Sequence, residues 1–215
     1  MKIGILGSGV VGQALGRAFA TLGHDVQIGT RSPDDTKLLL WVTETAGKGS
    51  VASPEEAARF GELLVIATAW SGTEHAIQLA GPSHFAGKVV IDATNPLKPM
   101  PGGAPTLAVS GTDSAGEQVQ RWLPNAKVVK AFNIVGNAHM FRPHFPGGTP
   151  DMFIAGNDKD AKRKVTEILK AFGWHVIDAG GIESSRYLEA LAMLWIIYGF
   201  TTNSWNHAFK LLTRP

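Results

Sequence analysis

A glycine-rich segment near the amino terminus has the residue types and spacing of a phosphate-binding loop. Residues 7–12 read Gly-Ser-Gly-Val-Val-Gly, directly after a short apolar run and directly before an amphipathic stretch. In this context Gly7 permits a tight turn, Gly9 lets the backbone approach a pyrophosphate, and Gly12 allows close packing of helix on strand. The free N–H groups of the helix that follows attract phosphate. The alternative is a glycine-rich turn without a ligand.

The end of the second apolar run, Val26–Ile28, indicates which dinucleotide would bind. A site selective for NAD places Asp or Glu at this point to accept hydrogen bonds from the ribose 2′-hydroxyl. Here the chain carries Thr30, Arg31 and Ser32 instead, with Lys37 one turn into the next helix. Hydroxyl and guanidinium donors favour a 2′-phosphate, so the sequence predicts NADP. The alternative is that Arg31 is a solvated loop residue.

Three later strand ends supply further candidates for contact with the cofactor. Small residues at 67–69 would let it lie across the sheet edge, and Trp70 either walls the nicotinamide pocket or packs in the ordinary way. Asn95 either bonds the ribose or carboxamide or forms a turn before proline. Asn133 could bond a ring, and residues 134–136 (Ile-Val-Gly) suggest an apolar surface for a flat ring.

All of these candidates stand at or beside predicted strand ends. The predicted cofactor-binding residues are Gly7, Ser8, Gly9, Val10, Val11, Gly12, Thr30, Arg31, Ser32, Lys37, Ala67, Thr68, Ala69, Trp70, Asn95, Asn133, Gly136 and Asn137.

No residue pattern predicts a catalytic side chain or a metal site. The chain has no cysteine, and His139 and His144 have no evident third ligand. Lys130 is one candidate for a catalytic acid; the alternative, since it lies in an apolar strand run, is that it points outward. The pattern therefore favours hydride transfer, in which the cofactor carries the chemistry and the protein supplies orientation.

The elements around these residues alternate in a regular way. Short apolar runs predict buried parallel strands at 3–6, 26–28, 63–69, 89–93, 128–132 and 152–155. Amphipathic stretches predict helices at 10–22, 34–46, 54–60, 73–79 and 114–123. This alternation predicts an α/β fold, a Rossmann doubly wound and mainly parallel sheet. The loops 95–111 and 133–150 should lie at its carboxyl edge.

The chain ends in a predicted small helical part. A helix over 158–172 and a strand over 175–178 precede a helical segment over 182–212, which Gly199 and the polar residues 201–203 should kink or split. We expect residues 1–180 to form the NADP-binding domain and residues 181–215 a helical segment packed on it. That segment is apolar nearly all round, which predicts a homodimer interface; the alternatives are a wall of the acceptor cleft and a core helix of a monomer.

Composition excludes several classes of partner. The 215 residues include 20 Lys and Arg against 18 Asp and Glu, a net charge of +2, with no basic run. This argues against a nucleic-acid partner. The amino terminus is unlike a signal peptide, and the apolar run 190–200 is too short to span a bilayer, so we expect a cytoplasmic protein without a membrane partner.

Five segments together resemble a known family. They read GSGVVGQALG, GTRSP, DATNPL, KAFNIVG and SSRYLEALAMLW. The combination resembles the NADP-dependent deazaflavin coenzyme reductases and is similar to the NADPH-binding domain of the six-transmembrane metalloreductases. The first two segments are shared by many dinucleotide enzymes, and the segment Arg186–Glu189 with the apolar helix after it is more specific.

The resemblance implies a function. Family membership would mean that NADP binds through the glycine loop and through Thr30, Arg31 and Ser32. It would also mean that hydride passes between nicotinamide C4 and a deazaflavin ring lying between the Rossmann domain and the helical part. It implies a small-molecule hydride acceptor, with an 8-hydroxy-5-deazaflavin coenzyme, FMN or FAD as the second substrate, and a homodimer.

Two other functions stay open on the sequence. One is an NADPH-dependent reductase of a small imine or keto acid, which would need a polar pocket with a proton donor. The other is a non-enzymatic NADPH-sensing module, in which binding changes a dimer or partner contact.

Overall fold

Strands and helices alternate along the chain in the computed structural model, which describes residues 1–214 apart from the side chain of Lys37. The strands are β1 (Lys2–Leu6), β2 (Asp25–Gly29), β3 (Gly49–Ala52), β4 (Leu63–Ile66), β5 (Val89–Asp92), β6 (Leu97–Lys98), β7 (Thr106–Leu107), β8 (Lys127–Lys130), β9 (Asp151–Gly156) and β10 (His175–Asp178). The helices are α1 (Val10–Thr21), α2 (Thr36–Glu44), α3 (Pro54–Phe60), α4 (Thr73–Ala80), α5 (Ala115–Trp122), α6 (Lys159–Ala171) and α7 (Ser185–Thr202).

Eight of the described strands form one sheet in the order β10-β9-β8-β5-β4-β1-β2-β3. Strands β1 to β5 and β8 are parallel, while β6 and β7 form a separate small hairpin. The order runs outward from β1 in both directions, through β2 on one side and β4 on the other. The crevice outside the carboxyl ends of β1 and β4 is thus the switch point where ligands bind in such sheets. The predicted α/β class with a mainly parallel sheet and a C-terminal helix is confirmed.

The direction predicted for one strand is wrong. The run 152–155 is predicted to be a parallel strand, but β9 is antiparallel to β8, with Lys130 opposite Ala155, and is parallel only to β10. The connection between them contains a short 3₁₀ helix, Asn137–His139, and no α-helical crossover. Because the chain stays at the carboxyl edge of β8, it must run back along the sheet when it re-enters it.

The sequence analysis also missed strand β3 and overextended the last helix. Strand β3 (Gly49–Ala52) is a short edge strand with no continuous apolar run. Helix α7 is not split at Gly199, but it ends at Thr202, within the polar residues 201–203 that are also predicted to break it, and Asn203 adopts a left-handed conformation with φ 50°. A Cβ on Gly199 would lie 2.5 Å from the Trp205 ring. The glycine therefore admits the indole of the returning chain rather than kinking the helix.

Helix α7 contacts α5 through the segment Arg186–Glu189, which is the part of the sequence more specific to the family that it resembles. Glu189 accepts hydrogen bonds from the backbone N–H groups of Ala115 and Gly116, both at 3.0 Å. Arg186 donates from Nε to Glu117 at 2.8 Å. The hydrogen bond from Arg186 holds the pKa of the Glu117 carboxyl below its ordinary value. Together these contacts dock the first two turns of α7 beside the sheet. The domain boundary near residue 180 stays a prediction.

Candidate functional site

The glycine loop between β1 and α1 has the geometry that its sequence predicts. Gly7 has φ 115°, and a Cβ there would lie 2.4 Å from the carbonyl oxygen of Ala67. A Cβ on Gly12 would lie 1.9 Å from the carbonyl oxygen of Gly7. A Cβ on Gly9, by contrast, would have no described atom within 4 Å. The space above Gly9 is therefore open to a ligand, while Gly7 and Gly12 serve the turn and the packing.

An open cleft of ≈ 460 Å³ lies against this loop. Its lining includes nine of the predicted residues: Gly7, Ser8, Gly9, Thr30, Arg31, Ser32, Ala67, Thr68 and Ala69. It also includes residues that the sequence analysis missed, on and just before α4: Ser71, Gly72, His75, Ala76 and Leu79. Their position directly after β4, at the same sheet edge, is the signal that could have found them.

The end of β2 presents donors to this cleft. The hydroxyls of Ser8 and Thr30 are 3.1 Å apart, and the Ser32 backbone N–H donates to Thr30 Oγ1 at 3.2 Å. These bonds fix the loop after β2 against the glycine loop. Arg31 is exposed, and among the described residues it forms no ion pair. Asp35 also lines the cleft.

Three other predicted residues lie beside the glycine loop or its neighbour helix. Val10 is 66% exposed at the first position of α1, and Val11 is half-buried against the core. The side chain of Lys37 lies outside the described residues, so its predicted contact with a cofactor stays a prediction.

Trp70 makes the packing contacts of one of its two interpretations, and its predicted contact with the cofactor stays a prediction. Its ring stacks on that of Trp122 in α5, with centroids 5.5 Å apart and planes inclined by 22°. Both rings pack against the apolar cluster between the sheet and helices α4 and α5. Thr68, just before this tryptophan, bonds the Thr73 hydroxyl at 2.9 Å and so closes the turn from β4 into α4.

Asn95 and Asn133 form a reciprocal pair at the ends of β5 and β8. Asn95 Nδ2 donates to the carbonyl oxygen of Asn133 at 2.7 Å, and Asn133 Nδ2 donates to Asn95 Oδ1 at 3.1 Å and to the carbonyl oxygen of Leu188 at 3.0 Å. Asn133 is buried, whereas Asn95 is half-buried. Asn95 is thus the member of the pair that can face a ligand, and Asn133 holds it.

The apolar surface expected after β8 is not made by the residues predicted to form it. Ile134 and Val135 are only 2% and 7% exposed because their side chains belong to the core. Gly136 is half-buried and Asn137 is exposed. A Cβ on Gly136 would lie 3.1 Å from the Trp195 ring, so the indole of α7 backs this part of the edge.

The alternative in which Lys130 points outward is wrong. The Lys130 ammonium is fully buried, 2.8 Å from Asp92 Oδ2 and 2.8 Å from Glu189 Oε1, and both carboxylates are buried as well. Burial lowers the pKa of Lys130, but the two carboxylates raise it by more, so its pKa lies above the ordinary value. Since all three groups are paired and buried, none offers a proton to the cleft. The buried position of Lys130 could not be predicted from its local sequence because its partners Asp92 and Glu189 are distant in the chain.

Within the described residues, no group of three or more His, Cys, Asp and Glu could hold a metal ion. His139 instead bonds Asn206 at 3.1 Å and packs on the Phe145 ring. None of the described helices is long and apolar enough to cross a membrane.

Comparison with known proteins identifies the family. The sequence profile of the family described as NADP oxidoreductase coenzyme F420-dependent matches residues 2–96. A solved structure from Arthrobacter sp. FB24, provisionally described as an F420-dependent NADP reductase, is 39% identical, with a TM-score of 0.94 over 99% of this chain and 100% of that chain. This chain belongs to the F420-dependent NADP oxidoreductase family.

Two relatives match most of this chain. The F420-dependent NADP reductase of Methanothermobacter thermautotrophicus is 27% identical over 226 residues, which cover 100% of this chain and 96% of the relative. The metalloreductase STEAP3 of Rattus norvegicus is 28% identical over 192 residues, which cover 89% of this chain. The chain spans only 36% of the length of that metalloreductase. Both resemblances inferred from the motifs are confirmed.

Proposed function

We propose that this protein is an NADP-dependent oxidoreductase that exchanges hydride with a deazaflavin or flavin-like ring. The observation that carries the proposal is the position of Arg31. This residue is exposed, has no ion pair in the described part of the chain, and lines the same cleft as the open backbone at Gly9. A guanidinium there matches the charge of a 2′-phosphate, and the loop matches a pyrophosphate.

The residues present fit NADP along the whole sheet edge. The N–H groups at the start of α1 would hold the pyrophosphate, and Thr30, Arg31 and Ser32 would hold the 2′-phosphate. The cleft wall formed by Ala76 and Leu79 offers apolar contact for adenine. Asn95, held by Asn133, would bond the carboxamide of the nicotinamide.

The bound dinucleotide supplies the chemistry, a hydride given or accepted at nicotinamide C4. The chain itself binds and orients the two rings. The buried charges of Lys130, Asp92 and Glu189 are paired with one another, so none of these three groups supplies the proton that imine or keto-acid reduction needs. This favours an acceptor that takes hydride into a flat conjugated ring, in keeping with the names of the family's reductases.

An acceptor screen tests the function. Purified protein is mixed with NADPH and, separately, a deazaflavin, FMN, FAD, a ferric chelate, a quinone and a cyclic imine, and loss of reduced nicotinamide absorbance is followed. We expect turnover with the deazaflavin or a flavin. Turnover with the imine alone would replace the proposal by imine reduction, and tight NADPH binding without turnover on any acceptor would point to a sensing module.

We further propose that α7 mediates a homodimer. Its buried stripe includes Trp195, which stacks on His207 of its own chain. A second stripe remains exposed and apolar: Tyr187, Leu194, Ile197, Tyr198 and Phe200. Contiguous apolar surface of this kind usually meets a partner, and a second copy of the same helix offers a self-complementary one.

Light scattering tests the dimer. We expect the wild-type protein to have twice the chain mass of 22.9 kDa at micromolar concentration, and Ile197→Lys to be monomeric because it places a charge on the exposed stripe. A monomeric wild type contradicts the proposal. A dimeric Ile197→Lys variant would place the interface elsewhere. Trp195 is unsuitable for this test since its substitution would disturb the fold of the monomer.

A further inference from the structure

Three charged side chains meet in the interior at the carboxyl ends of β5 and β8. Lys130, Asp92 and Glu189 are 0%, 0% and 1% exposed. The ammonium of Lys130 makes three contacts of 2.8 Å, with Asp92, with Glu189 and with the carbonyl oxygen of Thr94. Since an ammonium has three N–H donors, all of them are used.

Both carboxylates also accept hydrogen bonds from groups other than Lys130. Asp92 Oδ1 accepts from the backbone N–H of Thr94 at 2.9 Å and from its hydroxyl at 2.7 Å. Glu189 accepts from two N–H groups at the start of α5. A buried ionic group of this kind is weak evidence for stability, because apolar side chains of similar volume are often at least as stabilising. We therefore look for the role of these three residues in the position of the groups that they hold.

The charged triad (Lys130, Asp92 and Glu189) fixes the surroundings of the Asn95–Asn133 pair on two sides. Lys130 and Asp92 together hold the carbonyl, N–H and hydroxyl of Thr94, the residue directly before Asn95. Glu189 fixes α7 where the carbonyl of Leu188, the residue before it, accepts from Asn133. One arm thus sets the backbone of Asn95, and the other sets the side chain that bonds it.

We propose that Lys130 is a positioning residue for the nicotinamide part of the cofactor site: through Asp92 and Glu189 it orients the amide of Asn95 toward the carboxamide of the ring. This inference rests on the proposed function. Asn95 is half-buried and uses one of its two N–H groups on Asn133, so it keeps a donor for a ligand. Lys130 itself, being fully buried, touches no ligand.

The test compares two ligands that share the adenosine end. NADPH carries the nicotinamide, whereas adenosine 2′,5′-bisphosphate lacks it. Affinities for both are measured by calorimetry for wild type and Lys130→Met. We expect NADPH to bind about tenfold more weakly to the variant, as loss of one oriented hydrogen bond implies. The bisphosphate should bind within about twofold of wild type, because the residues around the 2′-phosphate are unchanged.

Two further variants keep the test decisive. Lys130→Met combined with Asp92→Asn removes the charges as a pair and should show the same selective loss. Lys88→Met is the control. Lys88 lies at the other end of β5 from Asp92 and donates to the carbonyl oxygen of Ala58, so this variant should leave both affinities unchanged. Equal losses for the two ligands, or no loss, would overturn the positioning role, as would failure of both Lys130 variants to fold. Failure of the wild type to bind either ligand would instead refute the proposed function.

Discussion

At the phosphate-loop end of the cleft, Gly9, Thr30 and Arg31 lie within the first 31 residues and face an open space. Where β5, β8 and α7 meet, Asp92, Lys130 and Glu189 come from three distant segments and are buried. The first region is an open surface, to which we assign recognition of the cofactor. The second is a buried network, to which we assign the position of the backbone at Asn95.

This difference has a consequence for the free energy of unfolding. Exposed binding residues can be changed with little effect on folding, because solvent replaces their lost contacts. A buried charge that loses its partner has no such replacement. Substitutions at the two ends should therefore separate binding from stability.

The largest effect is expected from Glu189→Ala. Removal of this carboxylate leaves Lys130 with one carboxylate and two N–H groups of α5 without an acceptor. We expect the free energy of unfolding to fall by about 3–5 kcal/mol, measured by urea denaturation. Arg186→Ala, which breaks a partly exposed pair on the same helix, should cost about 1 kcal/mol or less. A smaller loss for Glu189→Ala than for Arg186→Ala would contradict the comparison.

Gly9→Val should abolish tight NADPH binding and leave the fold intact. The added side chain meets no described atom within 4 Å, but it occupies the space above the loop where the pyrophosphate would lie. Loss of the phosphate contacts should weaken NADPH by about a hundredfold or more in calorimetry. Gly103→Val, another glycine with open space around it, is the control. Unchanged NADPH affinity in Gly9→Val would show that the phosphates bind elsewhere.

Arg31→Glu should reverse the charge that favours the 2′-phosphate. NADPH should bind about ten- to a hundredfold more weakly, and NADH should be much less affected, because one charge-assisted bond contributes roughly 1.5–3 kcal/mol. Arg163→Glu makes the same charge change on α6 and controls for net charge. Equal losses for the two dinucleotides would remove the assignment of Arg31 to the 2′-phosphate.

Trp70→Leu should have the smallest effect on binding. Since Trp70 stacks on Trp122, its replacement should lower the free energy of unfolding by about 1–3 kcal/mol and change NADPH affinity less than about twofold. Melting temperature and calorimetry on the same sample measure both. A large loss of affinity with unchanged stability would restore Trp70 as a wall of the nicotinamide pocket.

The sequence predicts the first region well and the second poorly for a physical reason. The roles of Gly7, Gly9 and Gly12 follow from local backbone geometry, which a short motif specifies. The burial of Lys130 depends on partners that only the assembled sheet and α7 bring together. The direction of β9 likewise depends on a connection that stays at one edge of the sheet, which apolar runs alone do not reveal.

Transfer of an isotope label tests the central claim most directly. NADPH carrying deuterium at nicotinamide C4, in each of the two configurations, is incubated with the protein and a 5-deazaflavin, whose ring carbon at position 5 retains the label. Mass spectrometry then follows the deuterium. The account predicts that one of the two labelled forms delivers its deuterium to the deazaflavin in water without exchange. Oxidation of NADPH with no label on the deazaflavin from either form would contradict direct hydride transfer between two rings held in this cleft.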